Sequence, residues 1–209
     1  MNLTEPSDLV MPRATASVYR VLIGADASFS IRQLARLAEV SAPRAVEIVN
    51  RASERGLILV EQAGRSRMCR FNREHLAANA IIDLVTLRER IFRALENEIL
   101  AWGIQPLHAS LFGSAARGSG DTASDLDVLI VRPEAVVENI WDEQKFASGI
   151  RLMTKIGNHV SWFDISLAEL KTASDASEPI LASWKDEGIR LIGPPLQNLI
   201  RAKSGRGGS

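Results

Sequence analysis

One segment, residues 111–131, limits the folds open to this chain more than any other. An apolar run ends at Gly113-Ser114, a polar loop follows, and Asp125-Leu126-Asp127 opens a second apolar run. Each apolar run predicts a buried strand. Positions i and i+2 of a strand face the same way, so the two aspartates are expected side by side. The segment therefore predicts two buried strands with polar groups collected at one end.

These residue types suit a phosphate and a metal ion. A glycine lets the backbone come close to a ligand, and a helix that starts after it offers free N–H groups to phosphate. Ser114 adds a hydroxyl and an amide. Two adjacent carboxylates repel each other unless a cation lies between them, and Mg²⁺ is commonly bound by carboxylates together with phosphate oxygens. The segment therefore predicts a site for a nucleoside triphosphate and Mg²⁺.

The same segment resembles the signature of the DNA polymerase beta-type nucleotidyltransferase superfamily. Ten residues, 115–124, separate Gly-Ser from Asp-x-Asp, as in the minimal nucleotidyltransferases of HEPN/MNT toxin–antitoxin systems. The resemblance extends over about residues 91–193. It implies that the nucleotide is held by Gly113, Ser114, Arg117 and Ser124, and that the catalytic and metal-binding residues are Asp125, Asp127 and Asp164.

Asp164 enters through the resemblance, because the family adds a third carboxylate on a later strand. It lies in the apolar segment 160–165, and would accept the proton of the attacking hydroxyl and help to hold a catalytic metal. The implied reaction moves a nucleoside monophosphate, AMP from ATP or its equivalent from another triphosphate, onto a hydroxyl. Two Mg²⁺ ions would stabilise the attacking and leaving oxygens.

Residues 14–73 predict three helices followed by a hairpin, the pattern of a winged helix-turn-helix. Ser30 and Gln33 form a capping box before the second helix, and Ser41 caps the third. This part resembles the winged-helix domains of small bacterial transcription regulators. On the third helix we expect Val46, Val49 and Ala52 inside and Ile48 outside with three arginines. The residues expected to contact DNA are Arg44, Arg51, Arg55, Arg65 and Arg67.

The fold class expected is α+β: an N-terminal winged helix-turn-helix, then a small nucleotidyltransferase domain with a mixed β-sheet flanked by helices. A helical stretch over 74–102 leads into the second domain, a helix over 134–157 breaks near Ser148-Gly149, and a last helix follows over 177–188. The closing strand, 187–193, comes from the resemblance. The expected domains are residues 1–76 and 77–200, with a disordered tail at 201–209.

Composition narrows the alternatives. The single cysteine, Cys69, rules out an internal disulfide, and no signal peptide or long apolar run is evident, so a cytoplasmic protein without membrane association is expected. No Walker-type phosphate loop is present. Three alternatives stay open: a regulator whose nucleotidyltransferase fold only binds a nucleotide or a partner, a winged helix that binds protein, and antibiotic nucleotidylation. Expected partners are DNA and a HEPN-type toxin, and a homodimer is compatible with binding to two-fold DNA sites.

Overall fold

The computed structural model describes residues 1–121, 124–176 and 178–201. The chain divides into two compact units: one comprises residues 5–89, and the other comprises Met1–Thr4 together with the chain from Arg90 onward. Apart from Arg201, the tail predicted at 201–209 lies outside the described residues. In the described part of the chain, every helix is too short or too polar to cross a membrane.

The unit of residues 5–89 is a winged helix-turn-helix, as predicted. Its three-stranded antiparallel sheet has the order β1-β3-β2. Ser30 caps α2 with the predicted capping box, and Ser41 caps α3. The elements, after a 3₁₀ turn at Pro6–Leu9, are α1 (Arg13–Gly24), β1 (Phe29–Ser30), α2 (Ile31–Leu37), α3 (Ala42–Ser53), β2 (Ile58–Ala63), β3 (Ser66–Phe71) and α4 (Ala78–Val85).

Helix α3 is rotated relative to the prediction. Ile48 was expected to face outward, yet it is 6% exposed and packs in the core, whereas Val46 is 38% exposed. The buried residues Ala45, Ile48, Val49 and Ala52 follow the i, i+3, i+4, i+7 spacing of one helix face. The predicted set with Val46 lacked that spacing, which explains the error.

The second unit is built around a mixed four-stranded sheet, which confirms the predicted α+β class. The strand order is β6-β5-β4-β7, with β5 and β6 parallel and the other neighbours antiparallel. The elements are α5 (Leu87–Leu100), β4 (His108–Phe112), α6 (Gly113–Arg117), β5 (Leu126–Arg132), α7 (Glu138–Ile156), β6 (Val160–Ser166), α8 (Leu167–Asp175), α9 (Ile180–Ala182), a π-helical turn (Ser183–Glu187), β7 (Ile189–Ile192) and α10 (Leu196–Arg201).

Two predicted helices have different limits. The stretch 74–102 contains two helices, because α4 ends at Val85 and α5 begins at Leu87. Helix α7 continues through Ser148-Gly149 without the predicted break. The small residues in α7 serve packing: the Ser148 hydroxyl accepts a hydrogen bond of 2.7 Å from Trp102 Nε1. A Cβ on Gly149 would lie 3.6 Å from Trp162 Nε1, so a larger side chain would crowd that ring.

The two faces of the sheet are covered by different helices. Along β5, Leu126, Val128 and Ile130 pack in the core that contains residues of α5 and α7. Leu129 and Val131 pack on the opposite face, in the core that contains residues of α8, α9 and α10. The alternation of β5 therefore fixes which face each side chain of the candidate site occupies.

Candidate functional site

Gly113 and Asp127 meet at the end of the hairpin formed by β4 and β5. Asp127 pairs with Phe112, the residue before Gly113, in the antiparallel register. Gly113 has φ +71°, and a Cβ built on it would lie only 2.5 Å from Asp127 Oδ2. Both the backbone conformation and the close approach of the carboxylate therefore require glycine at this position.

Asp125 and Asp127 form a carboxylate pair on the sheet face that also carries Phe112. Burial raises the pKa of Asp127, and the charge of Asp125 raises it further, while Arg117 lowers it. The Ser161 hydroxyl on β6 donates a 3.2 Å hydrogen bond to Asp125 Oδ2. The mutual repulsion of the pair would be relieved by a cation bound between the two carboxylates.

Arg117 is close enough to Asp127 to affect its pKa, but its guanidinium contacts a different carboxylate. Arg117 Nη1 donates a 2.7 Å hydrogen bond to Glu187 Oε2, and the Ser183 hydroxyl donates to the same oxygen at 3.0 Å. These two hydrogen bonds, that of Arg117 first, lower the pKa of Glu187. To contact a phosphate, as the sequence predicts, Arg117 must release Glu187 or bind both groups at once.

Ser124 is placed in the loop, and its hydroxyl is used within the protein. It accepts a hydrogen bond from the Asp121 backbone N–H and donates one to Asp121 Oδ1, both at 2.9 Å. Its carbonyl accepts a 3.0 Å hydrogen bond from Asn158 Nδ2, and Asn158 is 4% exposed. Ser124 therefore anchors the chain just before Asp125, a role that the sequence prediction of nucleotide contact did not include.

The structure does not bring Asp164 to the other two aspartates. In the parallel pairing of β5 and β6, Asp127 lies beside Ser161 and Asp164 lies beside Ile130. Asp164 is therefore three residues, roughly 10 Å, further along the strand, and the odd offset turns its side chain to the opposite face. Phe163, the neighbour of Asp164 on β6, lies on the same face as Asp125 and Asp127. Its ring contacts that of Phe112 at a centroid distance of 4.9 Å.

On its own face Asp164 belongs to a network with helix α7. Its Oδ2 accepts hydrogen bonds of 2.6 Å from Trp141 Nε1 and 2.7 Å from Lys145 Nζ. Arg132 Nε lies 3.9 Å from Oδ1, and the Asp164 side chain is 16% exposed. The role predicted for Asp164, as metal ligand and proton acceptor, is therefore corrected to a contact between strand and helix, because the side chain leaves the sheet on the wrong side.

The carboxylate pair fits one nucleotide-bound Mg²⁺ ion. Among residues 1–121, 124–176 and 178–201, no three His, Cys, Asp or Glu side chains are grouped in a way that could hold a metal. Mg²⁺ at phosphate-transfer sites is held by one or two carboxylates and by oxygens of the substrate. Asp125 and Asp127 supply that number, while the two-metal arrangement predicted with Asp164 lacks its third carboxylate.

In the winged helix, Arg44 and Arg51 of α3 and Arg55, just beyond its end, lie together on one flank of the helix. Arg44, Arg51 and Arg55 line a recess of about 290 Å³ against α1, with Tyr19 among its other lining residues. Arg44 Nη1 contacts Glu47 Oε2 at 2.6 Å. The flank position follows from the rotation of α3. Ile48, which lies between Arg44 and Arg51 in the sequence, is buried in the core, so the arginines stand beside the buried face.

The predicted wing arginines are exposed on the β2–β3 hairpin. Arg65 lies in its turn, and Arg67 Nη2 donates a 2.8 Å hydrogen bond to Asn50 Oδ1 on α3. Arg67 therefore links the wing to the third helix. Asn50 was not predicted from the sequence, because the residues predicted to contact DNA are all arginines.

Comparison with known proteins gives one family and three distant structures. Residues 96–171 match the family of the nucleotidyltransferase domain. A toxin-antitoxin structure with AMP-PNP is 17% identical, covers 52% of this chain and 80% of its own, and has a TM-score of 0.39. A MarR family transcriptional regulator from Silicibacter pomeroyi DSS-3 is 23% identical, with coverages of 43% and 66% and a TM-score of 0.34. TrmBL2, an archaeal chromatin protein, is 15% identical, with coverages of 87% and 78% and a TM-score of 0.30. No curated protein sequence matches the chain.

Proposed function

We propose that the protein transfers a nucleoside monophosphate to a hydroxyl acceptor in a metal-dependent reaction, and the match of residues 96–171 to the nucleotidyltransferase domain family is the premise. The observation that carries the proposal is the close approach of Gly113 to the Asp127 carboxylate, 2.5 Å from where a Cβ would stand. A glycine loop against a carboxylate pair provides a phosphate-binding backbone beside a cation-binding group, and the reaction requires both.

The roles follow from these positions. Gly113 and Ser114 hold the triphosphate, and Asp125 and Asp127 hold Mg²⁺, which when bound neutralises charge on the phosphates. The acceptor oxygen forms a bond to the α-phosphorus, the bond to the bridging oxygen breaks, pyrophosphate leaves and the hydroxyl proton is released. Arg117 exchanges Glu187 for an oxygen of the triphosphate. ATP is the donor that we propose first.

Transfer is tested with ATP labelled on the α-phosphate, Mg²⁺ and candidate hydroxyl acceptors. We expect label on an acceptor with the wild-type chain and none with Asp127→Asn. Asp175→Asn, an exposed aspartate at the end of α8, is the matched control and should behave as wild type. Equal labelling by wild type and Asp127→Asn would count against the assignment of this site.

The acceptor that we propose is a hydroxyl side chain of a protein. The loop spacing resembles that of minimal nucleotidyltransferase antitoxins, so a HEPN-type toxin is the first partner to test. A toxin encoded beside this protein would be co-purified and assayed for labelling, with hydroxyl substitutions in the toxin as controls.

A second candidate function is nucleotide binding without turnover, in a regulator of transcription. The position of Asp164 favours it, because Lys145 and Trp141 hold that carboxylate on the far side of the sheet. In this case ATP would alter the affinity for duplex DNA while no label is transferred. An identical DNA affinity with and without ATP and Mg²⁺ would remove this candidate.

For the winged helix we propose DNA binding in the cytoplasm. The grouping of Arg44, Arg51 and Arg55 on one flank suits contacts with the phosphate backbone, since guanidinium groups pair with phosphate oxygens. The hydrogen bond between Arg67 and Asn50 fixes the wing arginine beside the third helix. An electrophoretic shift at low salt tests the proposal, and a duplex that fails to shift at any salt concentration would reject it.

A further inference from the structure

An aromatic cleft lies on the same sheet face as the carboxylate pair. It has a volume of about 530 Å³ and is lined in part by Phe163, Ile165, Thr172 and Trp184. Phe163 is 41% exposed, although it is a large apolar side chain in the middle of a strand. One side of the cleft is thus an aromatic ring that the fold leaves accessible.

The exposed ring is held in a fixed position by its neighbours. Phe112 contacts Phe163 edge to face at a centroid distance of 4.9 Å, and it contacts Trp184 at 6.0 Å. Trp184 is 7% exposed and has no hydrogen-bond partner for its Nε1 among the described residues. A ring that is supported in this way keeps its orientation and loses little conformational freedom when a planar ligand stacks on it.

The strand register relates the cleft to the predicted metal site. Asp127 is paired with Phe112 across β4 and with Ser161 across β6, so Phe163 is two residues further along β6 on the same face. Strand geometry then places the Cα atoms of Asp127 and Phe163 about 8 Å apart. That separation suits one molecule whose phosphates lie at Asp127 and whose other end lies in the cleft.

The charges of the cleft exclude phosphate and favour a neutral group. The described residues that line it include Glu169, Glu178 and Asp164, whose carboxylate is held by Trp141 and Lys145, but no lysine or arginine. Glu169 Oε2 already accepts a 2.7 Å hydrogen bond from the Ser166 backbone N–H, while Thr172 adds a polar group to the wall. An uncharged planar ring with amino or ring N–H donors therefore fits the wall better than a second phosphate.

We propose that this cleft binds the base of the nucleoside triphosphate, which stacks on Phe163 while the ribose spans the distance to the phosphates at Gly113 and Asp127. The inference rests on the proposed nucleotide site. It adds a substrate-binding residue, Phe163, that was not predicted from the sequence. Base binding in the cleft fixes the direction of the nucleotide, with its α-phosphate beside the carboxylate pair.

The test compares ATP with inorganic triphosphate, each with Mg²⁺, by titration calorimetry on the full chain. Wild type should bind ATP more tightly than triphosphate. Phe163→Ala should weaken ATP binding by about 5- to 150-fold, the range for the loss of one base–aromatic stack, and leave triphosphate binding unchanged. Phe163→Tyr should restore the preference for ATP. Phe146→Ala is the matched control, because Phe146 is 72% exposed on helix α7.

Each result separates the base site from the phosphate site. If wild type binds ATP and triphosphate equally, or if Phe163→Ala keeps the full preference for ATP, the base site is refuted while the phosphate site stands. If neither ligand binds to wild type, both proposals fail. Thermal melting of each variant shows that it is folded, and a loss of triphosphate binding in Phe163→Ala would mean that Phe163 supports the fold of the phosphate site, against the proposal.

Discussion

Replacing Gly113 with alanine should separate backbone strain from loss of the site. The added Cβ would stand 2.5 Å from Asp127 Oδ2, and ordinary contact begins at 3.4 Å, so the carboxylate must retreat by about 0.9 Å. A displacement of about 1 Å in a reacting group costs on the order of 100-fold in rate. The residue also keeps φ +71°, which costs about 1–2 kcal/mol for a non-glycine residue.

Two other glycines provide matched controls for this prediction. Gly157 has φ +81°, and a Cβ added there would have no atom within 4 Å, so Gly157→Ala carries the strain alone. Gly103 has open space and no positive φ, so Gly103→Ala carries neither cost. Calorimetric binding of Mg²⁺-ATP and thermal melting are measured on all three variants and on wild type.

We expect Gly113→Ala and Gly157→Ala to lose similar thermal stability, a few degrees in Tm, and Gly103→Ala to lose little. Only Gly113→Ala should lose nucleotide affinity and transfer activity. Binding and transfer by Gly113→Ala at the wild-type level would refute the requirement for glycine beside Asp127. An equal loss of affinity in Gly157→Ala would also refute it, because backbone strain and not the carboxylate contact would then be responsible.

Three further predictions follow from single contacts. Asp164→Asn should lower Tm, because Lys145 loses one of its two carboxylate partners and keeps only Asp142. It should leave the affinity for Mg²⁺-ATP within about two-fold, which is less than the loss of a hydrogen bond to a charged group would cause. A loss of affinity as large as that of Asp127→Asn would show that Asp164 belongs to the nucleotide site. Burial lowers the pKa of His108, so the unfolded chain takes up a proton that the folded chain resists, and stability should fall as the pH drops below about 6.5. His108→Gln should flatten this dependence in melts between neutral and mildly acid pH, and an unchanged slope would contradict the assignment. Arg51→Ala should reduce the salt slope of DNA binding by about 1, whereas Arg93→Ala, which removes the same charge from the other unit, should not.

The hairpin part of the site could be predicted because its geometry is local. Gly113 and Asp127 lie at the adjoining ends of β4 and β5, which pair directly with each other. The i, i+2 spacing of the two aspartates was therefore enough to predict that they lie side by side at this end. The side chains of Asp125 and Asp127 then needed only the alternation of one strand.

Asp164 could not be placed by the same reasoning. Its strand reaches β5 only after helix α7, and the register between two parallel strands depends on that crossover. Both sets of alternating residues in β6 contain aromatic side chains, Trp162 in one and Phe163 in the other, so hydrophobicity did not show which set faces the aspartates. The cleft at Phe163 could not be predicted for a similar reason. Its walls come from β6, α8 and the π-helical turn, and the sequence does not show how these elements pack together.

The winged helix was predictable at the level of its elements and less so at the level of its surface. Caps at Ser30 and Ser41 are local signals, and both are present. The rotation of α3 by the burial of Ile48 depends on packing against other helices. Because of that packing, the arginines lie on the flank of the helix and not in the middle of its solvent-exposed face.

Residues Met1–Thr4 have a consequence for dividing this protein into fragments. They belong to the unit that resumes at Arg90, so the winged helix is inserted within the sequence of the other unit. Thr4 donates two hydrogen bonds to the Gly120 carbonyl, at 2.6 and 3.2 Å, and Leu3 is 3% exposed in the core. A fragment that starts at Arg90 would lose these donors and leave an opening in the core beneath the loop that carries Asp125. A fragment that is to keep the site must therefore also carry residues 1–4.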